Sequence, residues 1–303
     1  MIISNSKQGL LFGFLAYSMW GVFPLFFHLL RTVPSTEVLY HRVIWSFVFV
    51  ILIMLIMRRT GRLIKAFKTP DVIKALLISS LLVSANWLIF IWAVAQGRVL
   101  ETSLGYFLTP LVSVFLARII LKEQLNGLRK GAIVVAVTGI LWLLLRIGYM
   151  PWVSLLLAIT FGLYGLVRKQ VDIDTLTGLG VETALLLPLA VAYGLYLVAI
   201  DQSHFLNNET LSGLLICSGV VTALPLLLFA SAAKKLSLSA LGFMMYINPT
   251  LQFLVAVFVL SETINTDQLI GFCFIWCALL MFSLGSLRQQ QKSVISDQRS
   301  TEV

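Results

Sequence analysis

The chain repeats one stretch, PLVSVFLARIILKEQLN at residues 110–126 and PTLQFLVAVFVLSETIN at residues 249–265, at an offset of 139 positions. The two copies share an initial proline, an alanine, a leucine, a glutamate near the end and a final asparagine. This pattern describes an apolar helix that begins at a proline, ends at a glutamate and precedes an asparagine able to cap the next helix. The repeat predicts a chain built from two duplicated halves.

The composition predicts a membrane protein. Of the 303 residues, 59% are hydrophobic and only 12% are charged, about half the charged share of a typical soluble domain. A soluble fold of this size could not keep so much apolar surface from water, so the lipid bilayer must be the solvent.

Ten apolar stretches are each long enough to cross a hydrocarbon core of about 30 Å as a helix. The fold class predicted is therefore an all-α polytopic membrane protein with ten transmembrane helices. The spans are expected at residues 8–30, 36–57, 72–93, 99–120, 128–145, 151–168, 178–200, 211–232, 238–260 and 267–287. The polar residues 291–303 lack periodicity and predict a disordered cytoplasmic tail.

The distribution of basic residues predicts the orientation. Short loops rich in lysine and arginine stay on the cytoplasmic side. If the N-terminus is cytoplasmic, most lysines and arginines of the chain fall in cytoplasmic segments. The opposite loops hold only Arg31, Arg98 and Arg146. Both termini are therefore expected in the cytoplasm. Because the basic residues are spread over all the loops of one face, without an aromatic platform, nucleic acid is not an expected partner.

The period divides the ten spans into two repeats of five helices, residues 1–146 and 147–290. Five is an odd number, so the second repeat must enter the membrane in the opposite orientation. Inverted repeats of this kind are common in secondary transporters, where the two halves rock about a site at the midplane to give alternating access.

Three further segments carry a family resemblance: NWLIFIWAVAQGRVLETSLGYFLTPL at residues 86–111, HRVIWS at 41–46 and YGLVRK at 164–169. With them the chain resembles the RarD group of the EamA family, within the drug/metabolite transporter superfamily. The resemblance covers the chain apart from the polar tail. It implies a ten-helix carrier of the cell inner membrane, made of two EamA repeats with both ends cytoplasmic.

Polar and aromatic groups inside the first span are candidates for the transport path, because polar groups are costly in a bilayer. Tyr17, Trp20 and Pro24 follow helical spacing and form one stripe. Ordinary packing is the alternative. Pro24 favours a cavity, since it frees backbone carbonyls that only protein or a cavity can satisfy. Tyr164 of the sixth span is expected to lie opposite this stripe.

The substrate site is predicted around the two prolines of the repeat, Pro110 and Pro249, because interrupted helices in corresponding positions mark the binding site in this architecture. The side chains expected to bind the substrate share hydrogen-bonding groups or ring faces and few charges; with Tyr17, Trp20 and Tyr164 they are Asn86, Trp87, Tyr106, Thr109, Tyr246, Asn248 and Gln252. Such a lining suits a small amphipathic or aromatic organic solute better than a bare ion.

Arg42 and Glu182 occupy equivalent places in the second and seventh spans, at an offset of 140. As opposite charges they could pair with each other, or Arg42 could bind a carboxylate while Glu182 carries a proton. The alternative is that each reaches its nearer interface with the polar end of its side chain.

The two glutamates of the repeat, Glu123 and Glu262, are expected to be structural. A carboxylate at the C-terminus of a helix opposes the helix dipole. We expect each to turn toward the free amides at the start of the following helix, beside Asn126 or Asn265, and so to fix the hairpin turn.

No cofactor or metal is expected. The sequence has no GxxxxGK[ST] phosphate loop. Its three cysteines lie in apolar runs without ligand partners and are expected to be buried thiols.

The function predicted is a secondary transporter, an exporter with import as the other direction, that moves a small organic metabolite or drug-like solute without acting as an enzyme. The alternative is an integral-membrane enzyme that acts on a lipid-linked or amphipathic substrate. The partners expected are the solute and the lipid bilayer, with a homodimer left open.

Overall fold

The computed structural model of the chain describes residues 5–120, 127–147, 150–233, 235–236 and 244–301. Within these ranges the regular structure is entirely helical, as predicted. The helices are α1 (Asn5–Gly21), α2 (Phe23–His28), α3 (Ser35–Ile56), α4 (Thr60–Phe67), α5 (Pro70–Ala95), α6 (Val99–Ile120), α7 (Gly127–Ile147), α8 (Trp152–Lys169), α9 (Thr175–Ala199), α10 (Glu209–Ala233), α11 (Ile247–Leu254, continued by a π-helical turn at Val255–Val259) and α12 (Thr266–Thr301).

Seven of the described helical segments are long and apolar enough to cross a membrane, and each coincides with a predicted span. They are Lys7–His28, Ser35–Ile56, Pro70–Ala95, Gly127–Arg146, Thr175–Ala199, Glu209–Ala232 and Thr266–Gly285. Two shorter apolar helices, Trp152–Arg168 and Ile247–Val259, lie at the sixth and ninth predicted spans, and α6 lies at the fourth. A multi-pass membrane protein is therefore confirmed, while the count of ten spans stays a prediction for these last three segments.

The surface of the bundle is the reverse of that of a soluble protein. Large apolar side chains project outward from many helices, for example Phe14, Leu145 and Phe258. Glu37, Arg42 and other polar side chains are buried between the helices instead. Such an arrangement is stable only where the outer surface contacts lipid rather than water.

The first span is broken, as Pro24 leads one to expect. Helix α1 ends at Gly21, Val22 forms a turn, and α2 begins at Phe23 with Pro24 in its first turn. Proline has no N–H to donate, so the backbone hydrogen-bond ladder cannot run through this point.

The helices of the two predicted halves are interleaved. Helix α6 packs on α8 as α11 packs on α1, and α5 packs on α8 as α10 packs on α1. Similarly, α3 packs on α10 as α9 packs on α5. An offset of 139 residues exchanges the members of each of these pairs, so the packing has the two-fold pattern that a duplicated chain would produce.

The end of the chain differs from the prediction of a disordered tail at residues 291–303, because α12 continues to Thr301. The sequence after Gly285 is rich in glutamine, lysine and arginine, which are good helix formers, and it has no proline.

Candidate functional site

Polar side chains from α5, α6 and α8 meet inside the bundle. Asn86 of α5 is buried, and its Nδ2 donates to the carbonyl oxygen of Leu157 at 3.0 Å and to Oγ1 of Thr160 at 2.9 Å, both on α8. The hydroxyl of Tyr106 on α6 donates to Oδ1 of Asn86 at 3.3 Å. The amide thus uses both its donor and its acceptor groups, and it connects the two predicted halves.

Arg42 lies against the next residue of α5, Trp87. The guanidinium carbon of Arg42 is 4.1 Å from the centroid of the Trp87 ring and 5.1 Å from that of Phe27. Its Nε donates to Oγ1 of Thr222 on α10 at 2.7 Å. Arg42 is only 3% exposed, so the alternative in which it reaches the membrane interface is wrong. Stacking on a ring face is favourable for a desolvated guanidinium.

Glu182 has a separate set of partners on other helices. Oγ of Ser79 on α5 donates to its Oε1 at 2.5 Å, and the hydroxyl of Tyr164 on α8 donates to its Oε2 at 3.5 Å. Nε of Arg168, in the last turn of α8, is 3.7 Å from Oε1. Among the described residues the ion pair of Glu182 is therefore with Arg168 and not with Arg42. Glu182 is 1% exposed, so it does not reach the interface either.

Aromatic rings connect the two charged sites. The ring of Tyr106 lies 6.0 Å from that of Phe90 and 6.1 Å from that of Phe161, and Phe161 lies 5.7 Å from Tyr164. The structure thus brings six of the predicted site residues into one region, which we call the central cluster: Arg42, Asn86, Trp87, Tyr106, Tyr164 and Glu182.

Tyr17 and Trp20 lie apart from this connected path, against α10. Their rings are 5.5 Å apart, and each is 5.9 Å from the ring of Phe229. The three rings form an aromatic cluster between α1 and α10. Among the described residues, no ring contact or hydrogen bond joins this cluster to Tyr164, which lies instead on the path between Phe161 and Glu182.

The predicted residues of α11 face α6. Nε2 of Gln252 donates to Oδ1 of Asn248 at 2.8 Å, and Oγ1 of Thr102 donates to Oε1 of Gln252 at 2.9 Å. Gln252 is fully enclosed between the two helices, at 1% exposure. Asn248 and Gln252 therefore form a second polar site, at the junction of the fourth and ninth spans.

The two prolines of the repeat are not placed alike. Pro110 lies inside α6, whereas Pro249 lies in the first turn of the described helix α11, which begins at Ile247. Proline is tolerated in the first turn because the N–H there has no partner within the helix. A turn at Met245–Tyr246 separates Met244 from α11 just before Pro249, whereas α6 runs unbroken through Pro110, so an interruption is present at the second proline and not at the first. The carbonyl of Pro249 accepts a hydrogen bond from Oγ of Ser103 at 2.8 Å.

Thr109 and Tyr246 make local contacts. Oγ1 of Thr109 donates to the carbonyl oxygen of Gly105 in its own helix at 3.1 Å. Tyr246 precedes α11, half-buried, beside Ser283 of α12. The contacts of these two side chains do not reach the central cluster.

Glu262 caps a helix, but not the one predicted. Its two carboxylate oxygens accept the backbone N–H of Val99 at 2.6 Å and of Leu100 at 2.8 Å, in the first turn of α6. Burial raises the pKa of Glu262, although these two N–H groups act in the opposite direction. The following helix, α12, is capped by Asn265 as predicted, because Oδ1 of Asn265 accepts the N–H of Gln268 at 2.7 Å. Glu123 and Asn126 lie outside the described residues.

Sequence reasoning missed several side chains that hold the charged residues in place. Arg168 lies at the end of the sixth predicted span, and Ser79, Thr160 and Thr222 are hydroxyl residues within apolar runs. A hydroxyl in an apolar helix can satisfy itself on a backbone carbonyl of the preceding turn, as Thr222 does on Ser218. Such residues therefore carry no sequence signal of a second partner.

The described residues contain no group of histidine, cysteine, aspartate or glutamate side chains that could hold a metal ion. The prediction of buried cysteines is wrong. Cys217, Cys273 and Cys277 are free thiols exposed on the outside of the bundle, where an apolar side chain can contact lipid.

Comparison with known proteins identifies one family along nearly the whole chain. The model of the EamA-like transporter family matches twice, at residues 7–145 and 149–284. Protein RarD of Escherichia coli (strain K12) is 42% identical over 294 residues, which cover 97% of this chain and 99% of that protein. Proteins named uncharacterized transporter in Vibrio cholerae and YojE in Bacillus subtilis are 43% and 38% identical, over 94% and 96% of this chain and 94% and 98% of their own lengths.

The fold is similar to that of a solved crystal structure. It covers 93% of this chain and 99% of its own, with a TM-score of 0.59 and 17% sequence identity. At this identity the similarity concerns the fold alone.

Proposed function

Because the chain belongs to the EamA-like transporter family, we propose that it is a secondary transporter that exports a small organic solute by alternating access between two inverted five-helix repeats. The solute is amphipathic or aromatic. The protein lies in the inner membrane with both termini in the cytoplasm.

The observation that carries this proposal is the central cluster. Its side chains come from α3, α5, α6, α8 and α9, so they belong to both predicted repeats. A group of hydrogen-bonding and aromatic side chains enclosed between two halves is the arrangement in which a rocking motion exposes one site to each face in turn. The ring faces and the amide offer contacts that suit an organic solute.

The inverted arrangement of the repeats is supported by the odd number of predicted spans in each half and by the paired packing of the helices. Export is the direction proposed here, with import as the other direction. The basic loops favour cytoplasmic termini through the positive-inside rule.

The first test is a comparison of metabolites in cells that lack the protein and cells that overproduce it, followed by transport of the identified solute into proteoliposomes. Export predicts a lower internal level in the overproducing cells. Uptake by everted membrane vesicles, but not by right-side-out vesicles, would support that direction, and the opposite pattern would establish import. The solute must be recovered chemically unchanged, because conversion would support the membrane-enzyme alternative.

Removal of the Tyr106 hydroxyl tests the position of the site. We expect Tyr106→Phe to slow transport about three- to tenfold, since it deletes the hydrogen bond to Asn86 and leaves the ring in place. Tyr196→Phe is a matched control, because Tyr196 is exposed on α9 and stacks only on Tyr193 among the described rings. Equal transport rates in Tyr106→Phe, Tyr196→Phe and the unmodified protein would show that the site lies elsewhere.

A further inference from the structure

The two charged residues of the central cluster differ in how their charges are balanced. Glu182 lies 3.7 Å from a guanidinium nitrogen of Arg168. Within the described parts of the chain, the partners of the Arg42 guanidinium are the neutral hydroxyl of Thr222 and the faces of aromatic rings. Among the residues that the structure describes, no carboxylate lies within 4 Å of its guanidinium. Nη1 of Arg42 is buried and makes no hydrogen bond.

Comparison of the two repeats shows that only the first half lacks a described ionic partner for its buried charge. An offset of 140 relates Arg42 to Glu182, and the same offset relates Arg168 to His28. The first half therefore has a histidine where an acid would balance Arg42. His28 contacts Arg31 instead. Among the described residues, the buried charge of Glu182 in the second half thus has an ionic partner, whereas that of Arg42 in the first half has none.

Arginine cannot relieve this situation by losing its proton, because its guanidinium stays charged at any physiological pH. A buried charge without a counter-charge is strongly unfavourable. Ring stacking offsets only part of that cost. The burial of Arg42 is explained if an anion binds its guanidinium during the transport cycle.

We propose that Arg42 binds the carboxylate of a small organic acid, with the apolar or aromatic part of the acid against Trp87 and the neighbouring phenylalanines. The planar guanidinium fork matches a carboxylate, which it can bind through two hydrogen bonds. Phe23, Phe27 and Trp87 surround a single positive charge. A monoanion would leave this site neutral, whereas a phosphate ester would leave a second negative charge buried among rings.

This inference names the substrate class of the proposed transporter and so rests on the proposed function. Its first test needs no knowledge of the ligand. Arg42→Met removes the charge but keeps most of the side-chain volume, and Thr222 keeps its hydrogen bond to the carbonyl of Ser218. We expect the melting temperature of the free, purified Arg42→Met protein in detergent to equal or exceed that of the unmodified protein. A fall of several degrees would show that the protein itself balances the Arg42 charge, and would overturn the proposal.

The second test is ligand-dependent stabilisation by matched compounds. The probes are benzoate, phenylacetate and indole-3-acetate, each beside its neutral amide, with phenyl phosphate and sodium chloride as further anions. We expect at least one carboxylate at millimolar concentration to raise the melting temperature, with smaller effects of its amide, of phenyl phosphate and of chloride. Arg42→Met should abolish the rise. Arg42→Lys, which keeps the charge but loses the planar fork, should weaken apparent binding at least tenfold.

Arg146→Gln is the matched control, because Arg146 pairs with Asp267 at the surface and should leave the carboxylate response unchanged. The proposal is overturned if no carboxylate exceeds its amide, or if chloride stabilises the protein equally. It is also overturned if the identified solute is a cation or a neutral compound transported normally by Arg42→Met. In that last case the proposed transport function stands, whereas the absence of any transported solute would remove the proposed function itself.

Discussion

At the scale of single residues, the two buried charges of the central cluster each hydrogen-bond with a hydroxyl group from a neighbouring helix. Thr222 of α10 accepts a hydrogen bond from Arg42 of α3, and Ser79 of α5 donates one to Glu182 of α9. The two helix pairs correspond under the sequence repeat. The second span of each predicted half thus carries one buried charge at the equivalent position, with opposite signs in the two halves.

The Glu182–Arg168 ion pair leads to a prediction about stability. Arg168→Gln leaves a buried carboxylate with only Ser79 and Tyr164 as described partners. We expect the loss of about 3 kcal/mol of unfolding free energy, as is usual when one member of a buried pair is removed. The double variant Arg168→Gln/Glu182→Gln should recover at least half of the loss, because it buries no unpaired charge. Thermal unfolding in detergent measures both effects.

The exposed pair Arg146–Asp267 supplies the control for that cycle. Its members lie 3.2 Å apart at the protein surface, and Arg146→Gln should change the unfolding free energy by no more than about 0.5 kcal/mol. If the double variant loses as much stability as the two single variants together, Glu182 and Arg168 are not energetically coupled.

Asp174 gives a prediction with a defined pH dependence. Its carboxylate caps α9 by accepting the N–H and the hydroxyl of Thr177, and it also accepts a hydrogen bond from Arg62. Burial favours a higher pKa, but these hydrogen bonds outweigh it and hold the pKa of Asp174 below the ordinary value. The stabilisation is therefore complete above the pKa of a free carboxyl and is lost as the pH falls through the pKa in the folded protein.

We expect Asp174→Ala to cost about 1 kcal/mol at pH 7, as for other helix caps. The difference from the unmodified protein should shrink as the pH is lowered below the ordinary range of a free carboxyl group and Asp174 becomes protonated. Asp174→Asn should unfold close to the unmodified protein, because asparagine caps equally well. Melting curves at neutral and acidic pH decide the matter, and a cost of Asp174→Ala that does not change with pH would contradict the assignment.

At the scale of helices, close contact between α3 and α10 depends on one glycine. A Cβ atom at Gly219 would lie 2.3 Å from the carbonyl carbon of Trp45 and 2.6 Å from the nitrogen of Ser46. We expect Gly219→Ala to force the two helices apart and to cost about 1–3 kcal/mol. Transport should fall as well, since the Arg42–Thr222 hydrogen bond joins the same helix pair one turn away.

Gly213 lies on the same helix and provides a matched control. No atom lies within 4 Å of a Cβ built at this position. Gly213→Ala should therefore leave stability unchanged or raise it by up to about 1 kcal/mol, because alanine is the better helix former. Melting temperatures of the two variants test the contact directly, and similar values for both would argue against a tight crossing at Gly219.

The elements also show what the sequence could predict. A long apolar run spans a bilayer as a helix rather than as a strand, so the helices lie at the positions that the hydropathy of the sequence predicts. The cap at Asn265 was predictable because its donor lies three residues along the chain. The partner of Glu262 was not, because any free helix N-terminus suits a carboxylate and only the fold selects α6. The partners of Arg42 and Glu182 depend in the same way on which helices are neighbours.

At the scale of the whole molecule, neither predicted half forms a core alone. The helices α1 and α3 of the first half pack on α10 of the second, and α5 and α6 pack on α8. The central cluster consequently lies across the boundary between the predicted halves, where the proposed alternating access needs its site.

The orientation can be tested by cysteine labelling in a variant without native cysteines. All three native thiols are exposed on the outside of the bundle; they are replaced by serine at Cys217, Cys273 and Cys277, so that only the introduced thiol can react. Single cysteines are then introduced at exposed positions between helices, and a membrane-impermeant maleimide is added to intact spheroplasts or to permeabilised ones. The serine variant without any introduced cysteine is the background control.

Lysine and arginine are frequent around α4, whereas few such residues lie near Arg98. The positive-inside rule therefore predicts that α4 lies in the cytoplasm. We therefore expect Gln96→Cys and Gln202→Cys to react in intact spheroplasts, whereas Gly61→Cys and Asp172→Cys should react only after permeabilisation. The positions before and after α5 must differ, because α5 crosses the membrane. The reversed pattern would place both termini outside and Arg42 in the cytoplasmic half. Labelling of Gln96→Cys and Gln202→Cys on opposite sides would contradict the count of helices between them.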